Sequence, residues 1–201
     1  MARNMQPIAK RCRALGISPA AMGYTGKSKN YNTRNPGGQR RVKKSEYALQ
    51  LIEKQKMKFA YGVLEKQFKR MFERAAVMKG NTGENLLQLL ELRFDNVVYR
   101  SGLAASRAQA RQFVCHGLMT VNGKKVDIPS YTVKVGDVIC VKASRQKIPH
   151  FQEVKEGVTS VVPKWLDTNA ADLAVTVNAL PMREDIDIPV QENIIVEFYS
   201  R

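Results

Sequence analysis

Apolar residues recur at spacings of three and four residues between residues 45 and 100. Such spacing is typical of amphipathic helices that bury one face. It predicts a helical region over residues 45–79, which Gly62 divides in two because glycine inside a helix costs about 1 kcal/mol relative to alanine. A further amphipathic helix is predicted over residues 84–100. The apolar positions of these helices are Leu49, Ile52, Phe59, Leu64, Phe68, Met71, Phe72, Ala75, Leu86, Leu87, Leu90, Phe94, Val97 and Val98.

A short helix followed directly by a tight hairpin is predicted over residues 106–126. Ser106 and Gln109 have the spacing of a capping box, so the helix should begin at Ser106. Gly117 can adopt the left-handed conformation that ends a helix. Asn122-Gly123 lies between two short β-prone runs and favours a type I′ turn, because both central residues of that turn need a positive φ.

The second half of the chain predicts strands and one short helix. Residues 131–133, 138–141, 173–177 and 194–198 are predicted strands, and residues 151–156 a helix. The predicted fold is α+β: a mostly helical scaffold domain with an inserted module of a helix and a hairpin. The predicted divisions are a basic N-terminal arm over 1–44, the helical part of the scaffold over 45–92, the module over 93–143 and a C-terminal part that completes the scaffold over 144–201.

Positive charge is concentrated in the first 80 residues. The formal net charge of the chain is +15, and residues 1–80 alone hold 19 Lys/Arg against 4 Asp/Glu. Residues 93–147 add 10 basic against 3 acidic residues, whereas residues 148–201 hold 4 basic against 9 acidic residues. A basic region of this kind predicts a polyanionic partner, and the acidic end predicts a surface that meets a basic protein.

The arm combines cations with glycine, asparagine and proline, so it should order mainly on its partner, with one short helix over residues 6–15. Tyr24 and Tyr31 could stack on bases there, although exposed loop tyrosines are the more common explanation. In the predicted helix of the module, Arg107 and Arg111 share one face, and Gln112 and His116 an adjoining one. A solvated helix also carries arginines, but donors without carboxylates beside a basic hairpin suit phosphate.

These patterns predict three sets of RNA-binding residues and one protein-facing set. The first set, in the arm, is Arg3, Lys10, Arg11, Arg13, Lys27, Lys29, Arg34, Arg40, Arg41, Lys43 and Lys44. The second set, in the helical region, is Lys54, Lys58, Lys66, Lys69 and Arg70. The third set, in the module, is Ser106, Arg107, Gln109, Arg111, Gln112, His116, Asn122, Lys124 and Lys125. The protein-facing set is Glu184, Asp185, Asp187 and Glu192.

The motifs of common enzymes and metal sites are missing from the sequence. Cys115 and His116 are adjacent and therefore point about 100° apart on a helix, which excludes a dyad. Cys12, Cys115 and Cys140 lack paired spacing, so we expect reduced thiols, no metal and no cofactor. His150 is interpreted as a surface residue. The chain lacks an apolar signal core, which predicts a soluble protein of a cytoplasm-like compartment.

Several segments resemble the bacterial family of ribosomal protein four of the small subunit. They are residues 61–68, 93–102, 106–112, 116–117, 120–124, 126–131, 163–166 and 195–201, and the resemblance covers essentially all 201 residues. It implies a structural, non-enzymatic protein that binds small-subunit ribosomal RNA at a multi-helix junction during early assembly and affects decoding accuracy. It also implies contact with ribosomal proteins five and three of the small subunit, near the channel through which messenger RNA enters.

Two features set this chain apart from many relatives in that family. The resemblance is to the zinc-free branch, because Cys12 is the only cysteine of the arm, and Cys115 stands where many relatives have a polar or basic residue.

Two alternatives use a similar module. A pseudouridine synthase or RNA methyltransferase would need a catalytic domain larger than residues 148–201 allow. A ribosome-associated RNA-binding factor would explain the module but not the basic arm.

Overall fold

The computed structural model describes residues 7–19, 45–157 and 162–200. The chain forms two compact units: a helical unit made of Met1–Leu86 with Asp187–Arg201, and a mixed unit made of Leu87–Ile186. The predicted α+β class is confirmed, since helices accompany a small antiparallel sheet. None of the helices in the described ranges is long and apolar enough to cross a membrane.

The helical unit contains α1 (Ile8–Leu15), α2 (Glu46–Ala60), α3 (Glu65–Val77), the first half of α4 (Thr82–Glu91) and α8 (Glu192–Ser200). Ser45 caps α2 by accepting a hydrogen bond from the Ala48 N–H at 3.3 Å. Gly62, with φ +62°, lies between α2 and α3, so the predicted division of this region is confirmed. Asn81 Oδ1 accepts from the Gly83 N–H at 2.9 Å at the start of α4.

The predicted strand over residues 194–198 is wrong, because these residues belong to helix α8. Their β-branched side chains favour a strand locally, but packing decides otherwise. Ile195 is fully buried, and Phe198 and Tyr199 follow it at spacings of three and four residues. Tyr199 stacks on Phe72 with ring centroids 4.5 Å apart, so helical spacing places buried Ile195 and half-buried Phe198 and Tyr199 on one side of α8.

The mixed unit contains the second half of α4, α5 (Phe94–Arg100), α6 (Arg107–Cys115), α7 (Pro149–Glu156) and a sheet. The predicted helix over residues 84–100 is instead two helices. Arg93, between the two helices, is extended, and the backbone around it pairs with residues 131–133: the Phe94 N–H donates to Tyr131 O and the Val133 N–H to Leu92 O, each at 2.9 Å. The predicted strand over residues 131–133 is reduced to a single bridge between Arg93 and Thr132.

The sheet has the order β2-β1-β3-β5-β4, with all neighbours antiparallel. Its strands are β1 (Met119–Val121), β2 (Lys124–Lys125), β3 (Val138–Val141), β4 (Leu166–Asn169) and β5 (Ala174–Val177). The predicted strands over 138–141 and 173–177 and the predicted helix over 151–156 are therefore confirmed, whereas β4 was not predicted. The core of this unit lies between the sheet and helices α5, α6 and α7; its fully buried side chains include Phe94, Val114, Ile139 and Phe151.

The observed unit boundaries differ from the predicted ones. Strands β4 and β5 pair with β3, and this pairing assigns residues 144–186 to the mixed unit. Only residues 187–201 join the helical unit, whereas the sequence had suggested that all of 144–201 completes the scaffold.

Candidate nucleic-acid interface

Helix α6 begins where its capping residues predict. Ser106 is extended and its Oγ accepts from the Gln109 N–H at 3.3 Å. Gln109 Oε1 accepts from the Ala105 N–H at 2.8 Å, one residue earlier than the standard capping box. Both side chains are used in these local hydrogen bonds, so their main role is to set the start of the helix.

The end of α6 and the hairpin also follow their predicted conformations. Gly117 has φ +64°, and a Cβ at this position would collide with Cε of Lys125, whose side chain lies across the glycine. Asn122 and Gly123 have φ +50° and +76°, as a type I′ turn requires. Lys124 and Lys125 are both exposed, and Lys125 lies 3.6 Å from Asp127 Oδ2. The hairpin therefore presents two lysines next to the C-terminal end of α6.

Asn122 has a structural role within the hairpin. Its Nδ2 donates to Asp137 Oδ1 at 2.8 Å, and its Oδ1 accepts from the Val138 N–H at 2.9 Å. Both ends of the amide thus connect the β1–β2 turn to the start of β3. We therefore remove Asn122 from the residues proposed to contact RNA.

Arg107 and Arg111 are half-buried and contact other side chains of the mixed unit. Arg107 Nε donates to Asn96 Oδ1 at 2.8 Å, and its guanidinium lies 4.4 Å from the ring centroid of Tyr99. Arg111 Nη1 donates to Asp95 Oδ2 at 3.3 Å. The sequence interpretation of donors without nearby carboxylates is therefore wrong for Arg111, because Asp95 is 16 positions away in the chain and adjacent in space.

Two buried ion pairs lie beneath this face of α6. Arg100 donates to both oxygens of Glu91 at 2.9 and 3.1 Å, and Glu91 is 1% exposed. Arg93 donates to both oxygens of Asp95 at 3.1 and 3.2 Å. Such paired geometry offsets the desolvation of buried charges. This network was not predicted, because its signal in the sequence is only an unusual density of charged residues within an apolar helical pattern.

Gln112 and His116 are exposed on α6. A second basic cluster, which was not predicted, contains Lys142, Arg145 and Lys147, and all three are exposed. It directly follows β3, and the Lys142 N–H donates to Leu118 O at 2.8 Å, which places it beside the C-terminal end of α6. Its signal in the sequence is a run of cations without an intervening acid.

His150 is half-buried rather than a surface residue, since Nε2 lies 3.1 Å from Leu103 O and the ring packs against Phe113.

In the helical unit, the predicted cations have two different environments. Lys54 is buried, with Nζ 2.7 Å from Glu65 Oε1 and 4.5 Å from the ring centroid of Phe198. Lys58 Nζ is 2.7 Å from Glu65 Oε2. These contacts use both lysines within the fold, so neither is retained as a phosphate ligand. By contrast, the remaining candidates of α3 are exposed: Lys66, Lys69 and Arg70.

The Glu65 cluster has perturbed protonation equilibria. Burial alone would raise the pKa of Glu65, but hydrogen bonds and positive charge from Lys54 and Lys58 outweigh burial and lower the pKa from 4.5 to about 2. The pKa of the Tyr199 phenol is raised by burial and then by Glu65, whose Oε1 accepts its hydrogen bond at 3.1 Å. The cluster therefore stays ionised at Glu65 and protonated at Tyr199 near neutral pH.

Part of the arm lies outside the described residues. Helix α1 carries exposed Lys10 and Arg13, and half-buried Arg11 lies 5.8 Å from the ring centroid of Phe59. The candidate residues outside the described ranges are Arg3, Lys27, Lys29, Arg34, Arg40, Arg41, Lys43 and Lys44, together with Tyr24 and Tyr31.

The predicted protein-facing residues are divided between the units. Glu184 and Asp185 belong to the mixed unit, whereas Asp187 and Glu192 belong to the helical unit. Asp185 Oδ2 accepts from the Met182 N–H at 3.0 Å and so stabilises a short 3-10 helix. Glu184 and Asp187 are exposed, while Asp185 and Glu192 are half-buried.

The described residues lack a metal-binding cluster, and two of their thiols have raised pKa values. Within residues 7–19, 45–157 and 162–200, groups of three or more His, Cys, Asp or Glu that could hold a metal ion are absent. Burial raises the pKa of the Cys12 thiol, and burial together with the charge of Asp172 raises that of Cys140. A raised pKa disfavours the nucleophilic thiolate at both positions.

Two family models match successive parts of the chain. Residues 3–91 match the model of the ribosomal protein S4/S9 N-terminal domain, and residues 92–139 match that of the S4 domain. The small ribosomal subunit protein uS4 of Agathobacter rectalis is 51% identical over 202 aligned residues, which cover 100% of both chains. That of Acetivibrio thermocellus is 59% identical over 96% of this chain and 89% of its own length. That of Gloeobacter violaceus is 52% identical over 100% of both chains. With this identity over its full length, the chain belongs to the family of small ribosomal subunit protein uS4.

Proposed function

We propose that this chain is a structural constituent of the small ribosomal subunit and binds small-subunit ribosomal RNA directly. The observation that carries this proposal is the identity of 51–59% to proteins named small ribosomal subunit protein uS4 over 96–100% of the chain. The fold adds a physical basis, because the helical unit presents exposed cations on α1 and α3, and the mixed unit presents exposed cations on its hairpin and on the segment after β3. The proposed function is binding, with no catalytic step.

In the mixed unit, the proposed RNA-binding surface is formed by two faces of α6 with the adjoining loops. It contains half-buried Arg107 and Arg111 and exposed Gln112 and His116. The exposed cations that adjoin the C-terminal end of the helix are Lys124, Lys125, Lys142, Arg145 and Lys147. Lysine and arginine neutralise phosphates and release counterions, so affinity should fall steeply with salt.

In the helical unit, the proposed RNA-binding residues are the exposed cations of two helices. They are Lys10 and Arg13 of α1 and Lys66, Lys69 and Arg70 of α3. The cations of the arm outside the described residues remain proposed ligands on sequence grounds. A-form RNA hides its base edges in a deep, narrow groove, so selectivity should come from the shape of a junction where several RNA helices meet.

The family resemblance supports finer proposals about partners. We propose contacts with ribosomal proteins five and three of the small subunit, close to the path of messenger RNA, and an effect on decoding accuracy. Exposed Glu184 and Asp187 are candidates for contact with basic neighbours. Charge complementarity of this kind favours specificity and association rate.

The proposal is tested by expressing the tagged full chain in a bacterium and isolating ribosomal subunits through a high-salt wash. We expect one copy per small subunit to remain, together with binding of the purified chain to a small-subunit RNA fragment that contains a multi-helix junction. The second candidate function, a ribosome-associated RNA-binding factor, is favoured by the S4 domain over residues 92–139 alone. Substoichiometric occupancy that the wash removes would support that alternative and contradict our proposal.

A further inference from the structure

The side chain of Asn96 connects a buried carboxylate to an arginine of the proposed RNA-binding surface. Asn96 is 3% exposed and lies on α5. Its Nδ2 donates to Glu91 Oε2 at 2.6 Å and to Glu91 O at 3.1 Å. Its Oδ1 accepts from Arg107 Nε at 2.8 Å. The amide therefore lies between an anion below and a cation above.

The orientation of this amide is determined by its neighbours. The two acceptors on Glu91 require the NH₂ group of Asn96 to face them, because the opposite orientation would place a carbonyl oxygen against a carboxylate. The carbonyl oxygen must then face Arg107. Tyr99 supports the guanidinium from one side, at 4.4 Å from its ring centroid. Two contacts thus restrict the rotamer of Arg107.

Asn96 orients Arg107 without contributing a charge of its own. Asn96 is uncharged, and the buried charge of Glu91 is already paired with Arg100 through two hydrogen bonds of 2.9 and 3.1 Å. An Arg side chain that is ordered before binding avoids an ordering cost of about 0.5–1.5 kcal/mol when it meets its ligand, which corresponds to about a 2- to 12-fold change in Kd.

We propose that Asn96 is a positioning residue for RNA binding, which holds the guanidinium of Arg107 in the conformation that contacts a phosphate. This inference rests on the proposed function and deepens it by assigning a role to a buried residue that does not itself touch RNA. Because the ligand in question is a phosphate of folded RNA, the effect of Asn96 should depend on the presence of Arg107.

The test is a double-mutant cycle of Asn96→Ala and Arg107→Ala in the full chain. The readout is Kd for a junction-containing small-subunit RNA fragment between 50 and 200 mM salt, roughly the range in which phosphate contacts dominate. We expect Asn96→Ala to raise Kd about 2- to 12-fold in the wild-type background, with an unchanged slope of log K against log salt, because the charge is retained. Arg107→Ala should reduce the slope by about 0.9, and in that background Asn96→Ala should have no further effect.

Three results overturn the inference, and they are distinguishable from failure of the proposed function. If Asn96→Ala changes Kd equally in both backgrounds, its effect is a general loss of structure. If Arg107→Ala weakens binding and Asn96→Ala does not, Arg107 needs no positioning. If Arg107→Ala leaves both Kd and slope unchanged, the helix lies away from RNA. In all three the wild-type chain still binds RNA; only its failure to bind, or to remain in small subunits, contradicts the proposed function.

The chain offers a matched control in Asn85, a buried asparagine of the helical unit whose Nδ2 lies within 3.4 Å of the Ala75, Met78 and Lys79 carbonyl oxygens. Asn85→Ala removes comparable buried hydrogen bonds and should show no coupling to Arg107→Ala. If Asn96→Ala fails to fold by circular dichroism, Tyr99→Leu replaces it. That variant removes the ring beneath Arg107, retains the hydrogen bonds between Asn96 and Glu91, and should show the same coupling; additivity there would equally overturn the inference.

Discussion

Replacing Lys54 by methionine separates the role that the sequence suggests from the role that the structure supports. As a basic residue of a helix, Lys54 was a candidate phosphate ligand. In the structure its side chain is 8% exposed, and its ammonium lies 2.7 Å from Glu65 and 4.5 Å from the ring centroid of Phe198 in α8. Lys54→Met retains the length and apolar contacts of the side chain while it removes the charge. We therefore expect lower stability and unchanged RNA binding.

The size of the stability change follows from opposing contributions. A hydrogen bond to a charged group contributes about 1.5–3 kcal/mol, and a desolvated cation–π contact adds up to about 2 kcal/mol. Removing a buried ammonium also removes its desolvation penalty, and Glu65 keeps Lys58 at 2.7 Å and is itself 47% exposed on its side chain. We therefore expect Lys54→Met to lower the free energy of unfolding by about 1–2 kcal/mol.

The assay combines urea unfolding, followed by circular dichroism, with the salt dependence of RNA binding. Lys66→Met is the matched control, because Lys66 is exposed on α3 one residue after Glu65. It should change stability by less than about 0.5 kcal/mol and reduce the slope of log K against log salt by about 0.9. If Lys54→Met instead reduces the slope and leaves stability unchanged, Lys54 contacts RNA, and the conclusion that it stabilises the packing of α8 is refuted.

Three further predictions concern pH, backbone conformation and the second basic cluster. Glu65→Gln should lower the free energy of unfolding by about 1 kcal/mol at pH 7, a value limited by solvent exposure. Because the folded-state pKa of Glu65 is lowered from 4.5 to about 2, the contribution of Glu65 to stability is present above pH 4.5 and disappears toward pH 2. Urea unfolding at a series of pH values should therefore show the free energies of unfolding of the variant and the wild type converge over that range. A difference that stays constant with pH would contradict this prediction. Gly117→Ala and Gly123→Ala should each cost about 1–2 kcal/mol in urea unfolding, since both need a positive φ. Only Gly117→Ala displaces Lys125 and should also weaken RNA binding, so equal RNA affinities of the two variants would argue against a role for Lys125. Arg145→Gln should reduce the salt slope of RNA binding by about 0.9, and an unaltered slope would remove its cluster from the RNA-facing surface.

Much of the module was predictable because its signals are local. The hydroxyl of Ser106 reaches the N–H of Gln109 three residues away, and the positive φ of Gly117, Asn122 and Gly123 follows from the needs of a helix end and a two-residue turn. Such interactions involve neighbours in the chain, so spacing and residue type suffice to predict them. Of the predicted cations of the module, Lys124 and Lys125 are exposed, and the exposed cluster that contains Arg145 was not predicted.

The errors share a common origin in contacts between residues far apart in sequence. The helical state of residues 194–198 depends on the packing of α8, in which Phe198 contacts Tyr47 and Tyr199 stacks on Phe72. The break between α4 and α5 depends on pairing with residues 131–133. Local β-propensity and helical spacing carry no information about these partners. The same reason explains why β4 was missed, since it exists through its pairing with β5.

The sequence by itself determined the α+β class, the helix and hairpin of the module, and the concentration of positive charge that predicts an RNA partner. Only the tertiary structure decided which of those charges are exposed and which contact other side chains of the fold. Lys54 and Glu65 are 11 positions apart, as are Asn96 and Arg107, and each pair is brought within 2.8 Å by the packing of separate helices. A charge is available for binding only if the fold leaves it exposed or holds it in place, and this property arises from three-dimensional proximity rather than from residue type.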